Sequence, residues 1–337
     1  MIEGHGDDLF LYGDKIKVNF STNIPQAVDH TGLLKHLFAC GDIFRNYPEP
    51  VPRSVEQQLA NKYGVATDNI IVTNGATEAI YLLAHAYREG KSGIIIPTFR
   101  EYQDSCSIFL HTIKFIKVLS EVSGDMQMVW LCNPNNPNGH IFDRTELLAT
   151  ADRFKDTLFV VDQAYADYSV SEVLTVDDVI KRNNIVMLKS LTKQFTIPGL
   201  RIGYAIGSAD IINRLRVLRM PWSVNSMAIQ AAHYLLEHSD SYKIDASILH
   251  SEAVRIAKAM TVMGIKTETT DCNFILGCLP GSTASALKQW LIDRHGLLIR
   301  DASNFEGLSP RHFRVAAQSY EENNLLINAL KEWISLS

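Results

Sequence analysis

Lys193 and Arg201 stand eight residues apart in SLTKQFTIPGLRIGY, between the apolar runs NIVML (184–188) and LRIGYAI (200–206). A lone lysine beyond a strand is usually a solvated loop residue. With Ser190 and Arg201 beside it, Lys193 reads instead as an amine nucleophile next to an anion clamp. Schiff-base chemistry needs a desolvated lysine, and an arginine fork with a hydroxyl holds a phosphate. Asp162 ends TLFVVD, where a carboxylate is costly unless it meets a cation or a donor. It either caps the next turn or faces the protonated pyridine nitrogen of a pyridoxal-type cofactor. NGATE puts Gly75, Ala76 and Thr77 at the start of an apolar helix pattern, where free amides and the helix dipole cradle phosphate. Taken alone, the same motif is an ordinary strand-to-helix turn.

These residues need a scaffold that brings strand ends together. Short apolar runs recur at 69–73, 93–97, 112–118, 128–132, 157–161, 184–188 and 200–206, with helical patterns between several of them. One such pattern spaces Val55, Leu59 and Tyr63 on a helix face. Strands of continuous hydrophobicity flanked by helices predict an α/β domain with a mostly parallel central sheet, covered on both faces. In such a sheet ligands bind beyond the carboxyl ends of the strands. NGATE, NPNNPNG, DQAY and KSLTK all follow predicted strands, so four polar clusters converge on one edge. After about Asn225 long helices take over, then a strand, a helix, two short strands and a last helix with Leu326, Leu330 and Ile334 in register. This predicts a smaller α+β domain. The expected division is an N-terminal segment at 1–35 serving the small domain and the active site, a large domain at 36–225 and a small domain at 226–337.

Composition narrows the classes. The chain has 337 residues, 46% hydrophobic and 20% charged, with a formal net charge of −5. That is enough apolar content for about two domains and lacks the basic excess of a nucleic-acid binder. Five cysteines without a CxxC read as free thiols in a reducing compartment. No apolar run has the ~20 residues of a membrane span, and the N-terminus does not read as a signal peptide. The expected location is cytoplasmic. HExxH, GxSxG and a strand-borne GxGxxG are all missing, which leaves zinc proteases, serine hydrolases and nicotinamide dehydrogenases without support. His233 and His238 read as partly buried surface residues.

In order along the chain, NGATE, NPNNPNG, DQAY, SLTK and GLRIGY resemble the fold-type-I aminotransferases that use pyridoxal 5′-phosphate. The resemblance covers essentially the whole chain. It implies that Lys193 carries the cofactor as a Schiff base, that Asp162 pairs with the pyridine nitrogen, and that Asn136 and Tyr165 bond the ring's 3-oxygen. It implies that Tyr102 of PTFREY stacks on the ring and that Gly75, Ala76, Thr77, Ser190 and Arg201 form the phosphate cup. Tyr47 of RNYPEP matches a tyrosine that reaches the cofactor of a neighbouring subunit, which implies a homodimer with shared active sites. Arg314 of FRVAAQS matches the arginine that takes the substrate carboxylate. Gln163 and Asn138 replace the Glu and Thr frequent in this family.

Substrate-facing segments narrow the resemblance. MPWSVN, NFSTNIP, the early HGD and LLIRDASNFEGLSPRHFRVA look like those of threonine-phosphate decarboxylases, near relatives of histidinol-phosphate aminotransferases. Two departures stand out: HGD replaces HGG, and Gln318 replaces an Arg that often follows RVA. A substrate carrying both carboxylate and phosphate needs two cationic anchors, and Arg300 and Arg314 lie on two short predicted strands able to face one pocket. His5 and Asn23 are further expected substrate contacts, with Lys193, assisted by Tyr165, as the proton carrier. The small phosphorylated amino acid would lose carbon dioxide to give (R)-1-amino-2-propanol O-2-phosphate, a cobalamin precursor. The rival readings are a transaminase using 2-oxoglutarate and a non-catalytic binding protein that keeps the fold. The latter is at odds with the retention of Lys193, Asp162 and Arg201.

Overall fold

A computed structural model of the chain describes residues 8–336. It opens with a two-residue strand, β1 (Val18–Asn19), and then builds a seven-stranded sheet. Its strands are β2 (Ile70–Thr73), β3 (Lys91–Ile95), β4 (Thr112–Ile116), β5 (Met128–Cys132), β6 (Leu158–Asp162), β7 (Ile185–Ser190) and β8 (Gly203–Ile206), in the spatial order β2-β8-β7-β6-β5-β3-β4. Only β8 runs antiparallel to its neighbours; the other pairings are parallel. β5 and β6 are buried at every residue, which is why MVWLC and LFVVD carry no alternation. β4, at the edge, leaves Thr112, Lys114 and Phe115 exposed.

The small domain holds β9 (Lys266–Thr267), β10 (Phe274–Cys278), β12 (Arg300–Asp301) and β13 (His312–Ala316) in an antiparallel sheet ordered β12-β13-β10-β9. β11 (Leu297–Leu298) leaves that sheet to pair in parallel with β1. The run LLIR, expected as one strand, is therefore two, separated at the buried Ile299.

Packing assigns the N-terminal segment and the helix after Asn225 to different cores. Val18 and Phe20 lie in the small-domain core with Ile256, Leu291 and Val315, so the N-terminal segment completes that core. The helix Ser226–Glu237, expected to open the small domain, instead buries Ala228, Ile229 and Leu235 against Leu33, Leu59 and Tyr204 of the large domain. Its apolar face matches that core, so the packing boundary falls after this helix rather than at 225/226. Among the described residues no helix is long and apolar enough to cross a membrane.

Candidate active site

Strand polarity assembles the site. β2, β5, β6 and β7 all end at one edge of the sheet, so Gly75, Asn136, Asp162 and Lys193 arrive there from successive strand ends. β8 runs the other way, so the residue that precedes it, Arg201, reaches the same edge. Asn136, Asp162, Lys193 and Arg201 line an inner chamber of about 150 Å³, with Ala76 and Thr77 beside Gly75. It continues into an outer cleft of about 380 Å³ bordered by Asn23, Arg300 and Arg314. Lys193, Asn136 and Tyr165 line both.

Asp162 is completely enclosed at the end of β6. Its Oδ2 accepts from the Tyr102 hydroxyl at 2.8 Å and its Oδ1 from the Ala164 amide at 2.9 Å. Burial pushes its carboxyl above the usual carboxylate range, and the Tyr102 hydrogen bond only partly offsets this. Its two hydrogen bonds come from neutral donors, the setting that a protonated ring nitrogen would complete. Tyr102 is itself buried and stacks on Trp130, with centroids 5.6 Å apart and a 19° interplanar angle.

The phosphate cradle shows in what a side chain would strike. Gly75 opens the helix Gly75–Ala86 with φ +72°, and a Cβ there would lie 2.7 Å from Arg201 Nη2. A Cβ at Gly203 would lie 2.5 Å from the Ala76 amide nitrogen. Missing side chains thus admit the guanidinium and keep the helix amides open. Arg201, at φ +57°, adopts a left-handed backbone that bulky residues avoid. Ser190 and Thr192 pair their hydroxyls at 2.7 Å on the same rim. The Lys193 backbone is pinned where its carbonyl accepts from the Tyr168 hydroxyl at 2.8 Å. A chamber with an enclosed carboxylate at one end, an amide-and-guanidinium cradle at the other and a lysine beside them fits pyridoxal phosphate.

Facing this floor, Arg300 and Arg314 are direct cross-strand partners on β12 and β13. Like charges so placed repel, and burial lowers both guanidinium pKa values, that of Arg314 to about 10. Arg314 donates through Nη1 to Asn136 Oδ1 and through Nη2 to the Ser21 carbonyl at 2.7 Å, while its Nε is buried without a partner. Among the described residues the buried Asn23 side chain makes no hydrogen bond of ordinary geometry, although it lies close enough to the Tyr165 phenol to draw its pKa down a little. Tyr165 packs edge-on against Phe274 at 5.2 Å. Its phenol is held protonated, pushed upward by burial and only partly pulled back by Arg314.

Tyr47, expected to reach a neighbouring subunit's cofactor, is 84% exposed and packs on Trp222 outside this chain's own cleft; His5 lies outside the described residues. Gln163 points away from the chamber and donates to the Leu174 carbonyl at 3.0 Å, so the change from Glu alters a buried loop contact. Asn138 bridges Asn135 and Glu268, tying the turn after β5 to the small domain. Sequence reasoning did not single out Arg100, Asn304, Ser21 and Thr22, which also line the outer cleft. The signal available for Arg100 was its place two residues before Tyr102 in PTFREY.

The same architecture recurs in known proteins. L-threonine-O-3-phosphate decarboxylase from Porphyromonas gingivalis superposes with a TM-score of 0.92 at 36% identity, over 94% of this chain and 99% of that one. The threonine-phosphate decarboxylase of Salmonella typhimurium is 30% identical over 330 residues, 93% of this chain and 90% of its own length. A histidinol-phosphate aminotransferase from Desulfitobacterium hafniense is 30% identical over 89% of this chain and 87% of its own. The aminotransferase class I and II profile matches residues 15–330. The chain therefore belongs to the class I and II aminotransferase family of pyridoxal 5′-phosphate enzymes.

Proposed function

We propose that this protein is a pyridoxal-phosphate-dependent decarboxylase of L-threonine O-3-phosphate, which it converts to (R)-1-amino-2-propanol O-2-phosphate and carbon dioxide for cobalamin synthesis. The observation that carries this reading is the buried, mutually repelling pair Arg300 and Arg314, aligned across β12 and β13 above Lys193. Two buried guanidiniums at one register position repel each other and gain when anions join them, and a substrate with both carboxylate and phosphate supplies both. The likeness to the decarboxylases from Porphyromonas gingivalis and Salmonella typhimurium supports the same substrate.

When bound, the cofactor supplies an electron sink for a carbanion at the substrate α-carbon. The residues decide which bond is broken. Arg314 and the amide of Asn23 hold the carboxylate in the orientation that aligns its bond for cleavage. Arg300 and the expected donor His5 hold the phosphate, and Asp162 would hold the cofactor through its ring nitrogen. The Cα–carboxylate bond breaks and its carbon leaves as carbon dioxide. The electron pair remains at Cα, where Lys193 Nζ delivers a proton, with the neutral Tyr165 phenol beside it. The exposed Tyr47 reaches the site of a second subunit in a homodimer with shared active sites, and the protein works in the cytoplasm.

Carbon dioxide release from O-phospho-L-threonine, with pyridoxal phosphate and no keto acid, tests this. Release that disappears in Lys193→Ala is expected. Silence toward that substrate, with turnover of histidinol phosphate only when 2-oxoglutarate is added, establishes the transaminase instead. That second reading draws on the equal identity to a histidinol-phosphate aminotransferase. Replacing Arg300 or Arg314 with Gln raises KM by the loss of a desolvated charge pair, roughly 2–5 kcal/mol; an unchanged KM in both removes the anion-anchor assignment.

A further inference from the structure

The outer cleft carries more positive charge than the residues assigned so far use. Arg100, Lys193, Arg201, Arg300 and Arg314 line it, and among the described residues the one lining carboxylate is that of Glu101, which accepts from Tyr81 at 2.8 Å. Lys193 and Arg201 serve the cofactor, and one guanidinium of the Arg300–Arg314 pair serves the substrate carboxylate. The other, with the expected donor His5, faces a phosphate that carries close to two negative charges at neutral pH. A second guanidinium on that side would match both charges.

Arg100 is placed to supply it. It leads into the helix Glu101–Ile108 on the large domain, with its side chain 44% exposed. Its Nη1 donates to the Asn304 carbonyl and its Nε to Asp104 Oδ1, both at a long 3.4 Å. Asn304 belongs to the small-domain loop between β12 and β13, and its Oδ1 accepts from Arg300 Nη2 at 2.7 Å. Asn304 thus sits between two guanidiniums, one from each wall of the cleft. Asp104 balances part of the Arg100 charge, as Asp301 does for Arg300. Among the described residues the Arg100 Nη2 hydrogens make no contact, which leaves one edge of its fork for a ligand.

We propose that Arg100 is a specificity-determining residue that grips the distal phosphate of the substrate opposite Arg300, exchanging its long contact to the Asn304 carbonyl for phosphate oxygens. This rests on the reading of a phosphorylated substrate given above. Arg100 acts from the wall opposite β12 and β13, so the phosphate ties the two walls together.

The test compares holoenzyme of the wild type, Arg100→Gln and Arg100→Lys. With O-phospho-L-threonine, Arg100→Gln raises KM about tenfold to a hundredfold, the worth of hydrogen bonds to a charged group, while kcat stays within about twofold. Arg100→Lys recovers part of the loss, because charge is kept and the planar fork is not. Calorimetry with inorganic phosphate on the same proteins gives the binding loss without turnover. An unchanged KM in Arg100→Gln, or a fall in kcat at constant KM, overturns the proposal. A wild type that turns over no phosphorylated amine sinks the substrate reading alone. The phosphate titration then decides for Arg100: weakening by about tenfold in Arg100→Gln upholds it, and equal binding overturns it.

Discussion

Two buried ionic centres differ in how far they are finished. In the first, Glu56 is fully buried, and its Oε1 accepts from Arg219 at 2.8 Å and from the Val72 amide at 3.2 Å. Its Oε2 accepts from Arg53 at 3.2 Å and lies 3.5 Å from Arg216. Arg216 and Arg219 spend further donors on the carbonyls of Thr67, Ile70 and Val72. In the second, among the described residues, Asp162 has two neutral donors, Arg314 has neutral acceptors only, and the Asn23 side chain has no hydrogen bond of ordinary geometry. A charge buried for architecture meets its counter-ions within the fold, even where one donor, Arg216 Nε, is left over. A charge buried for function is left waiting for the missing partner, and the protein carries the desolvation cost until it arrives.

The largest expected effect breaks the second centre at its reactive group. Lys193→Ala lowers kcat by at least about 10³-fold, since nucleophile and proton carrier are lost together. Its melting temperature stays near that of the wild type, because the closed Glu56 cluster is untouched. Loss of folding in this variant would contradict the contrast. The converse variant, Glu56→Ala, strands Arg219 and Arg216 and costs about 3–5 kcal/mol of stability. Denaturant midpoints measure it, and the fraction still folded keeps its KM.

Asp162→Asn sharpens the comparison. Burial raises the Asp162 pKa in the folded chain, so the ionised carboxylate opposes folding at every pH above the ordinary carboxylate range. The isosteric amide removes that opposition, and the cofactor-free variant is expected to be as stable as the wild type or more stable by about 1 kcal/mol. Turnover falls at least about a hundredfold, because the ring nitrogen loses its counter-ion. A destabilised apo variant would show that Asp162 is closed in the way Glu56 is.

The sequence made legible those parts of the site that local chemistry announces. Asp162 and Lys193 follow buried strands in the chain, and the rule that ligands gather at carboxyl ends was enough to group them. Arg201 was named through its neighbours, but its route into the chamber depends on β8 running antiparallel, and an apolar strand pattern has no direction. The register that sets Arg300 opposite Arg314 was visible only as two short strands, because pairing is decided by contacts far apart in sequence. Asn304 and Arg100 left less trace: they meet across 204 residues, in a loop and at a helix start with no periodic pattern. The packing boundary after Glu237 was hidden for a similar reason. The helix Ser226–Glu237 has an amphipathic face, and nothing in that face says which of two apolar cores receives it.

The smallest effect is read from pH. Arg314 is lowered by burial to about 10, well below the ordinary range of a guanidinium. In the free enzyme its charge disappears as pH rises through about 10. Substrate capture is then expected to be level from neutrality to that point and to fall by up to about tenfold per further pH unit. Stability moves the other way. Between the folded value and the ordinary one, the unfolded chain binds the proton more tightly, so the contribution of this group to folding rises with pH there. Subtracting the profiles of Arg314→Gln from those of the wild type isolates both trends from the lysines and tyrosines that titrate nearby. Opposed slopes are the signature of a buried cation kept for a ligand. Parallel slopes would place Arg314 with Arg219, as a cation that the fold itself has already satisfied.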